Sequence, residues 1–109
     1  MDQETLDKIK SQIENNDIVI YMKGTPDMPM CGFSAQTVNL FLSYGVPFKA
    51  VNVLEDPAIR QGIKEYSNWP TLPQVYIKGK FIGGCDICNE LHARGELEKM
   101  AKEAVGMSS

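Results

Sequence analysis

The sequence predicts an α/β fold, a four-stranded mixed sheet with helices on both faces. Three observations lead there. Ile18-Val-Ile-Tyr-Met22 is an unbroken, β-branched apolar run, which suits a strand covered on both sides, as in parallel and mixed sheets. Helical and strand patterns follow one another in the order α-β-α-β-α-β-β-α-α, so a βαβ half precedes a ββα half. The last two strand patterns meet at Lys78-Gly79, a turn short enough to force antiparallel pairing.

Each element has its own warrant. Thr5 to Asn15 places Leu6, Ile9 and Ile13 at helical spacing, and Asn15-Asn16-Asp17 ends it. After the first strand, Lys23-Gly-Thr-Pro-Asp-Met-Pro-Met30 reads as a loop. From Gly32 a second helix sets Ala35, Val38, Phe41 and Leu42 on one face, and Gly45 with Pro47 stops it. Phe48 to Val53 alternates loosely as a strand. Asp56-Pro57 starts a third helix, Asp as cap and Pro at the first helical position, with Ile59 and Ile63 inward and an end near Tyr66. Asn68 to Pro73 is a proline-rich loop. Gln74–Ile77 and Lys80–Ile82 form the hairpin, which Gly83-Gly84 breaks. Helical spacing then resumes through Ile87, Leu91, Leu97, Met100, Ala101 and Val105, interrupted at Gly95.

Composition narrows the function classes. A chain of 109 residues, 43% hydrophobic and 23% charged, fits one globular domain over residues 1–109 with a core at about 5–105. The net charge, 11 − 14 = −3, comes with no basic cluster, which argues against nucleic-acid binding. No run approaches the ~20 apolar residues that span a bilayer. The acidic opening Met1-Asp-Gln-Glu-Thr-Leu-Asp7 is neither a secretory signal nor an Arg-rich transit peptide. The expected location is the cytoplasm, or an organelle matrix if a targeting segment has been removed.

The three cysteines are Cys31, Cys85 and Cys88. An odd number without an export signal points to free thiols, metal ligands or catalysis. Cys31 follows a strand and opens a helix, where unpaired backbone N–H groups and the dipole favour thiolate. The bland alternative is an inert thiol in a loop. The segment Cys31-Gly-Phe-Ser34 has Ser34 where a Cys-x-x-Cys pair would have its second thiol, so no disulfide closes inside it. Cys85, Cys88 and His92 fall at i, i+3 and i+7 of one helix and, with Cys31, could form a zinc constellation. A lone Cys-x-x-Cys is weak support for one, and a core thiol at Cys88 and a surface His92 are the plainer readings.

Lys23-Gly-Thr-Pro26, then Pro29-Met-Cys-Gly-Phe-Ser34, Trp69-Pro-Thr-Leu-Pro-Gln-Val-Tyr76 and Gly83-Gly-Cys-Asp86 closely resemble the single-domain monothiol glutaredoxins with a Cys-Gly-Phe-Ser site. The resemblance runs from about Leu6 to Val105. It implies a thioredoxin-like fold with an added N-terminal helix, and binding of glutathione and a [2Fe–2S] cluster. It also implies a role in cluster transfer and iron homeostasis. Such a cluster needs four thiolates; with Cys31 as the one protein ligand per chain, a homodimer supplies two and two glutathiones the rest.

The resemblance further implies a glutathione site made of Lys23, Phe33, Arg60, Leu72, Pro73, Cys85 and Asp86. Leu72-Pro73 matches a cis-proline position whose backbone meets the cysteinyl part of the tripeptide. Lys23 and Arg60 match positions that meet the glycyl carboxylate. Asp86, at a helix start, matches the γ-glutamyl position, and could equally be a plain N-cap. Trp69 reads more as packing than contact, and Thr25 as loop-shaping or as a hydrogen-bond donor near Cys31. A BolA-like heterodimer partner and iron–sulfur client apoproteins follow from the family alone. Two other readings remain: an enzyme in which Cys31 removes glutathione from mixed disulfides, and a Cys31–Cys85 redox switch.

Overall fold

The computed structural model describes residues 1–107, so the last two residues of the expected 1–109 domain lie outside the described residues. The helices are α1 (Gln3–Glu14), α2 (Gly32–Tyr44), α3 (Pro57–Ser67), α4 (Cys85–Ala93) and α5 (Glu96–Ala104). The strands are β1 (Ile18–Met22), β2 (Lys49–Asn52), β3 (Gln74–Ile77) and β4 (Lys80–Gly83), with a 3-10 turn at Val53–Glu55. The element order matches the sequence reading.

The sheet runs β2-β1-β3-β4. β1 pairs parallel with β2 (Ile20 opposite Ala50) and antiparallel with β3 (Ile20 opposite Val75). All five residues of β1 are buried, because side chains alternate between two apolar layers. Ile18, Ile20 and Met22 pack with Val38, Phe41, Cys88, Leu97 and Ala101 from α2, α4 and α5. Val19 and Tyr21 pack with Ile9, Ile13, Ile59 and Ile63 from α1 and α3. The mixed sheet with helices on both faces is the thioredoxin-like arrangement. The described helices include none long and apolar enough to cross a membrane.

Local chemistry sets the ends. Asp2 accepts from the Thr5 N–H at 2.8 Å and starts α1 earlier than Thr5. Asp56 accepts from the Ile59 N–H at 3.2 Å with Pro57 at the first helical position. The second strand stops at Asn52 rather than Val53, since the Asn52 side chain accepts from the Leu54 N–H at 3.0 Å and begins the 3-10 turn. The hairpin turns on Lys78 and Gly79, both at positive φ (52° and 79°).

Two inward faces differ from the apolar spacing. On α2 the buried set is Ser34, Thr37, Val38, Phe41 and Tyr44, while Leu42 is 52% exposed. The hydroxyls tolerate burial because they are bonded: Thr37 donates to the Phe33 carbonyl at 3.0 Å and Ser34 accepts from the Lys23 N–H at 3.2 Å. On α4 the inward residues are Cys85 and Cys88, with Ile87 and Leu91 only half-buried. Gly84, not Asp86, is the N-cap of α4; Asp86 stands within its first turn.

Candidate functional site

Three chain junctions meet at one edge of the sheet and enclose a cavity of about 490 Å³. The loop from β1 into α2 contributes Lys23, Cys31 and Phe33. The stretch before β3 contributes Trp69 to Pro73. The turn from β4 into α4 contributes Gly84 to Ile87, and Lys64 of α3 closes the rim. This is the strand-end position where open α/β sheets receive ligands.

Cys31 is the N-cap of α2, with extended backbone (φ −155°, ψ 133°), and is partly accessible. The free N–H of Ser34 holds its thiol below the ordinary cysteine range, followed by the N–H of Phe33, the Ser34 hydroxyl and the charge of Lys23; partial burial opposes them. The thiol is thus tuned toward thiolate without a second cysteine nearby in sequence. Met28, Met30 and Phe33, the apolar residues around it in sequence, are 69%, 63% and 59% exposed. Thr25 shapes the loop: its hydroxyl oxygen accepts from the Met28 N–H at 3.1 Å.

The other two thiols are different. All three cysteines are free. Cys88 is completely buried, and burial pushes its thiol up to about 12, so it is the inert core thiol expected. Cys85 is buried in the cavity wall; its Sγ donates to Gln36 Oε1 at 3.5 Å and accepts from Asn89 Nδ2 at 3.6 Å. His92 is exposed, with Nδ1 2.6 Å from the Tyr44 hydroxyl. Among the described residues no group of three His, Cys, Asp or Glu could hold a metal ion. The zinc constellation is therefore corrected: one would-be ligand lies in the core.

Of the residues singled out from the sequence, Lys23, Cys31, Phe33, Leu72, Pro73, Cys85 and Asp86 all line the cavity. Arg60 does not; Lys64, one turn later on the same face of α3, does. The i, i+4 pairing of two cations was the signal for Lys64 that sequence reasoning passed over. The Leu72–Pro73 bond is cis. Behind it, the fully buried Gln74 amide donates to the carbonyls of Trp69 (3.1 Å) and Thr71 (3.3 Å), while its oxygen accepts from the Tyr76 hydroxyl at 3.1 Å. An inward polar residue on a strand reads in sequence as solvent-facing, so this prop for the cavity wall was not foreseen. Trp69 packs against Phe81 (centroids 5.7 Å apart), yet also lines the cavity. Its buried Nε1–H has no partner among the described residues.

A family model described as glutaredoxin matches residues 18–82. The chain is 50% identical over 105 residues to an uncharacterized monothiol glutaredoxin ycf64-like protein of Synechocystis, covering 96% of this chain and 98% of that one. Among solved structures, reduced poplar apo GrxS14 is similar at 48% identity and a TM-score of 0.76, covering 94% of this chain and 91% of that one. A buckwheat glutaredoxin–glutathione complex gives a TM-score of 0.85 at 27% identity, with 97% and 94% covered. With a partly accessible, thiolate-favouring Cys31 at the N-cap of α2 and Ser34 in place of a second thiol, the chain belongs to the glutaredoxin family, on its monothiol branch.

Proposed function

We propose that this glutaredoxin holds glutathione in the cavity beside Cys31 and carries a [2Fe–2S] cluster as cargo, shared between two copies of the chain. The observation that carries the proposal is the division among the thiols. Cys31 is partly accessible and shifted toward thiolate, Cys85 and Cys88 are buried, and the cavity beside Cys31 has cationic Lys23 and Lys64 on the rim. Four thiolates are required for such a cluster. One usable thiolate per chain makes two copies and two glutathione thiols the simplest complete set.

In this reading the glutathione backbone pairs with the strand-like segment at Leu72 and Pro73. Lys23 and Lys64 attract the glycyl carboxylate, with Arg60 behind them on α3. The first turn of α4 meets the γ-glutamyl end, its N–H groups facing the carboxylate and Asp86 the ammonium. Cys85 and Phe33 flank the tripeptide sulfur. The exposed Met28, Met30 and Phe33 form the apolar rim that a second copy, a BolA-like partner or a client apoprotein would cover. The domain acts as one unit in a reducing compartment, with the cytoplasm the simplest assignment for three free thiols.

Anaerobic reconstitution with iron, sulfide and glutathione tests the model. A visible chromophore and a dimer are expected with the wild-type chain, and neither with Cys31→Ser. If Cys31→Ser holds the cluster as well as wild type, the proposal fails.

The same thiolate supports a second activity. Cys31 attacks the glutathione sulfur of a mixed disulfide, forming a Cys31–glutathione disulfide and releasing the substrate thiolate. A second glutathione thiolate then attacks the glutathione sulfur bound to Cys31, regenerating Cys31 and releasing glutathione disulfide. Turnover with a small glutathionylated substrate measures it.

A further inference from the structure

We propose that Asn52, on the edge strand and outside the cavity, is a positioning residue. Its amide oxygen anchors the Lys23–Met30 loop and so keeps Lys23 beside the Cys31 thiolate. Asn52 Oδ1 accepts the Gly24 N–H at 2.9 Å and the Leu54 N–H at 3.0 Å. Gly24 is buried, and a buried N–H needs an acceptor.

The loop is otherwise bonded mainly to itself. Met30 N–H donates to the Lys23 carbonyl at 2.9 Å, and Thr25 and Met28 exchange two backbone bonds at 3.1 Å. It closes so tightly that a Cβ on Gly24, at φ +93°, would lie 2.5 Å from the Met28 oxygen and 2.6 Å from the Met30 nitrogen. A closed unit of this kind moves as one piece. Two side chains tie its base to the rest of the fold: Ser34, which accepts from the Lys23 N–H at 3.2 Å, and Asn52. Releasing Asn52 frees Gly24, shifts Lys23 next to it, and loosens Met30, the residue before Cys31. Both contributions to the thiolate that pass through this base, the Lys23 charge and the Ser34 hydroxyl, then weaken together.

The inference deepens the glutathione reading, because Lys23 serves both, but its first readouts need no ligand. Three variants of the full chain are compared. Asn52→Leu removes the acceptor. Asn52→Ser retains a short oxygen able to cap Leu54, as Ser does in such turns, without reaching Gly24. Asn52→Asp keeps the acceptor for both. Amide exchange of Gly24 by NMR is expected to rise at least tenfold in the Leu and Ser variants and to remain slow in the Asp variant. The inflection of Cys31 alkylation against pH is expected to move upward in the Leu and Ser variants, with the rate at neutral pH falling severalfold. A folded Ser variant with wild-type Gly24 exchange, or with an unmoved Cys31 inflection, overturns the proposal, and this holds even if the Leu variant does not fold. Glutathione titration separates the two readings. If the wild type fails to bind glutathione while the Cys31 inflection still moves, the ligand assignment fails and the anchor stands.

Discussion

The backbone N–H of Lys23 donates to the wholly buried hydroxyl oxygen of Ser34 at 3.2 Å. With that oxygen already accepting, the Ser34 hydroxyl proton is free to serve Cys31, whose thiolate it helps to hold. The residue that occupies the place of a second redox cysteine therefore has a task of its own, joining the loop base to the thiol.

Replacing Ser34 with Ala removes that link. The pH inflection for alkylation of Cys31 by iodoacetamide is expected to move upward, and the rate at neutral pH to fall by up to about tenfold, the equivalent of one charge-assisted hydrogen bond near ~1.4 kcal/mol. An unchanged profile would show that the backbone N–H groups and the Lys23 charge suffice without the hydroxyl.

Cys88 makes stability fall in alkaline solution. Its thiol is raised from 9.0 to about 12 in the folded chain, so the unfolded state ionises first. The stabilisation is complete below pH 9.0 and is lost as pH rises toward 12. Tyr44, also raised to about 12, adds to the loss above pH 10.0. Cys88→Ala is expected to flatten the first part of this fall, while costing about 1 kcal/mol near neutrality for lost packing. Urea midpoints at a series of pH values measure both.

Gly83 stands at φ +146°, and a Cβ there would lie 2.8 Å from the Ile87 Cβ. Since that atom is fixed to the α4 backbone, it cannot swing aside. Gly83→Ala is expected to cost about 2–4 kcal/mol through strain and displacement of α4, read as a lowered Tm. A loss under about 0.5 kcal/mol would mean that the β4–α4 junction yields easily.

Trp69 is the single tryptophan and lines the cavity, so its fluorescence should report on occupancy. Titration with glutathione is expected to change its intensity in wild type and much less in a Lys23→Ala, Lys64→Ala double variant, whose affinity should drop about tenfold or more. Trp69→Phe removes an indole N–H that has no partner among the described residues. It should therefore cost less than its lost area suggests, about 1 kcal/mol or below.

Much of the fold was legible because the periodicities are unmixed. Ile18–Met22 declared a two-sided strand, Asp56-Pro57 a helix start, and Lys78-Gly79 a hairpin, each through short-range chemistry that the structure repeats. The ordered motifs around Cys31, Leu72-Pro73 and Cys85-Asp86 also marked three segments that converge on one cavity. Less legible were the polar groups that turn inward. Leu42 was expected inside α2 and lies exposed, while Ser34 and Thr37 take the interior because their hydroxyls find partners. Gln74 was read as part of a strand, with no hint that its amide supports the cavity wall.

By itself, then, the sequence determined the element order, the helix-cap position of Cys31, and the absence of a second thiol beside it. These depend on neighbours a few residues apart. Tertiary structure alone decided which thiol could act, placing Cys31 at the cavity and Cys88 in the core. It also set Lys64 rather than Arg60 on the rim and tied Gly24 to Asn52 across 28 residues. Burial and hydrogen-bond satisfaction are properties of segments brought together in space, and no local spacing encodes them.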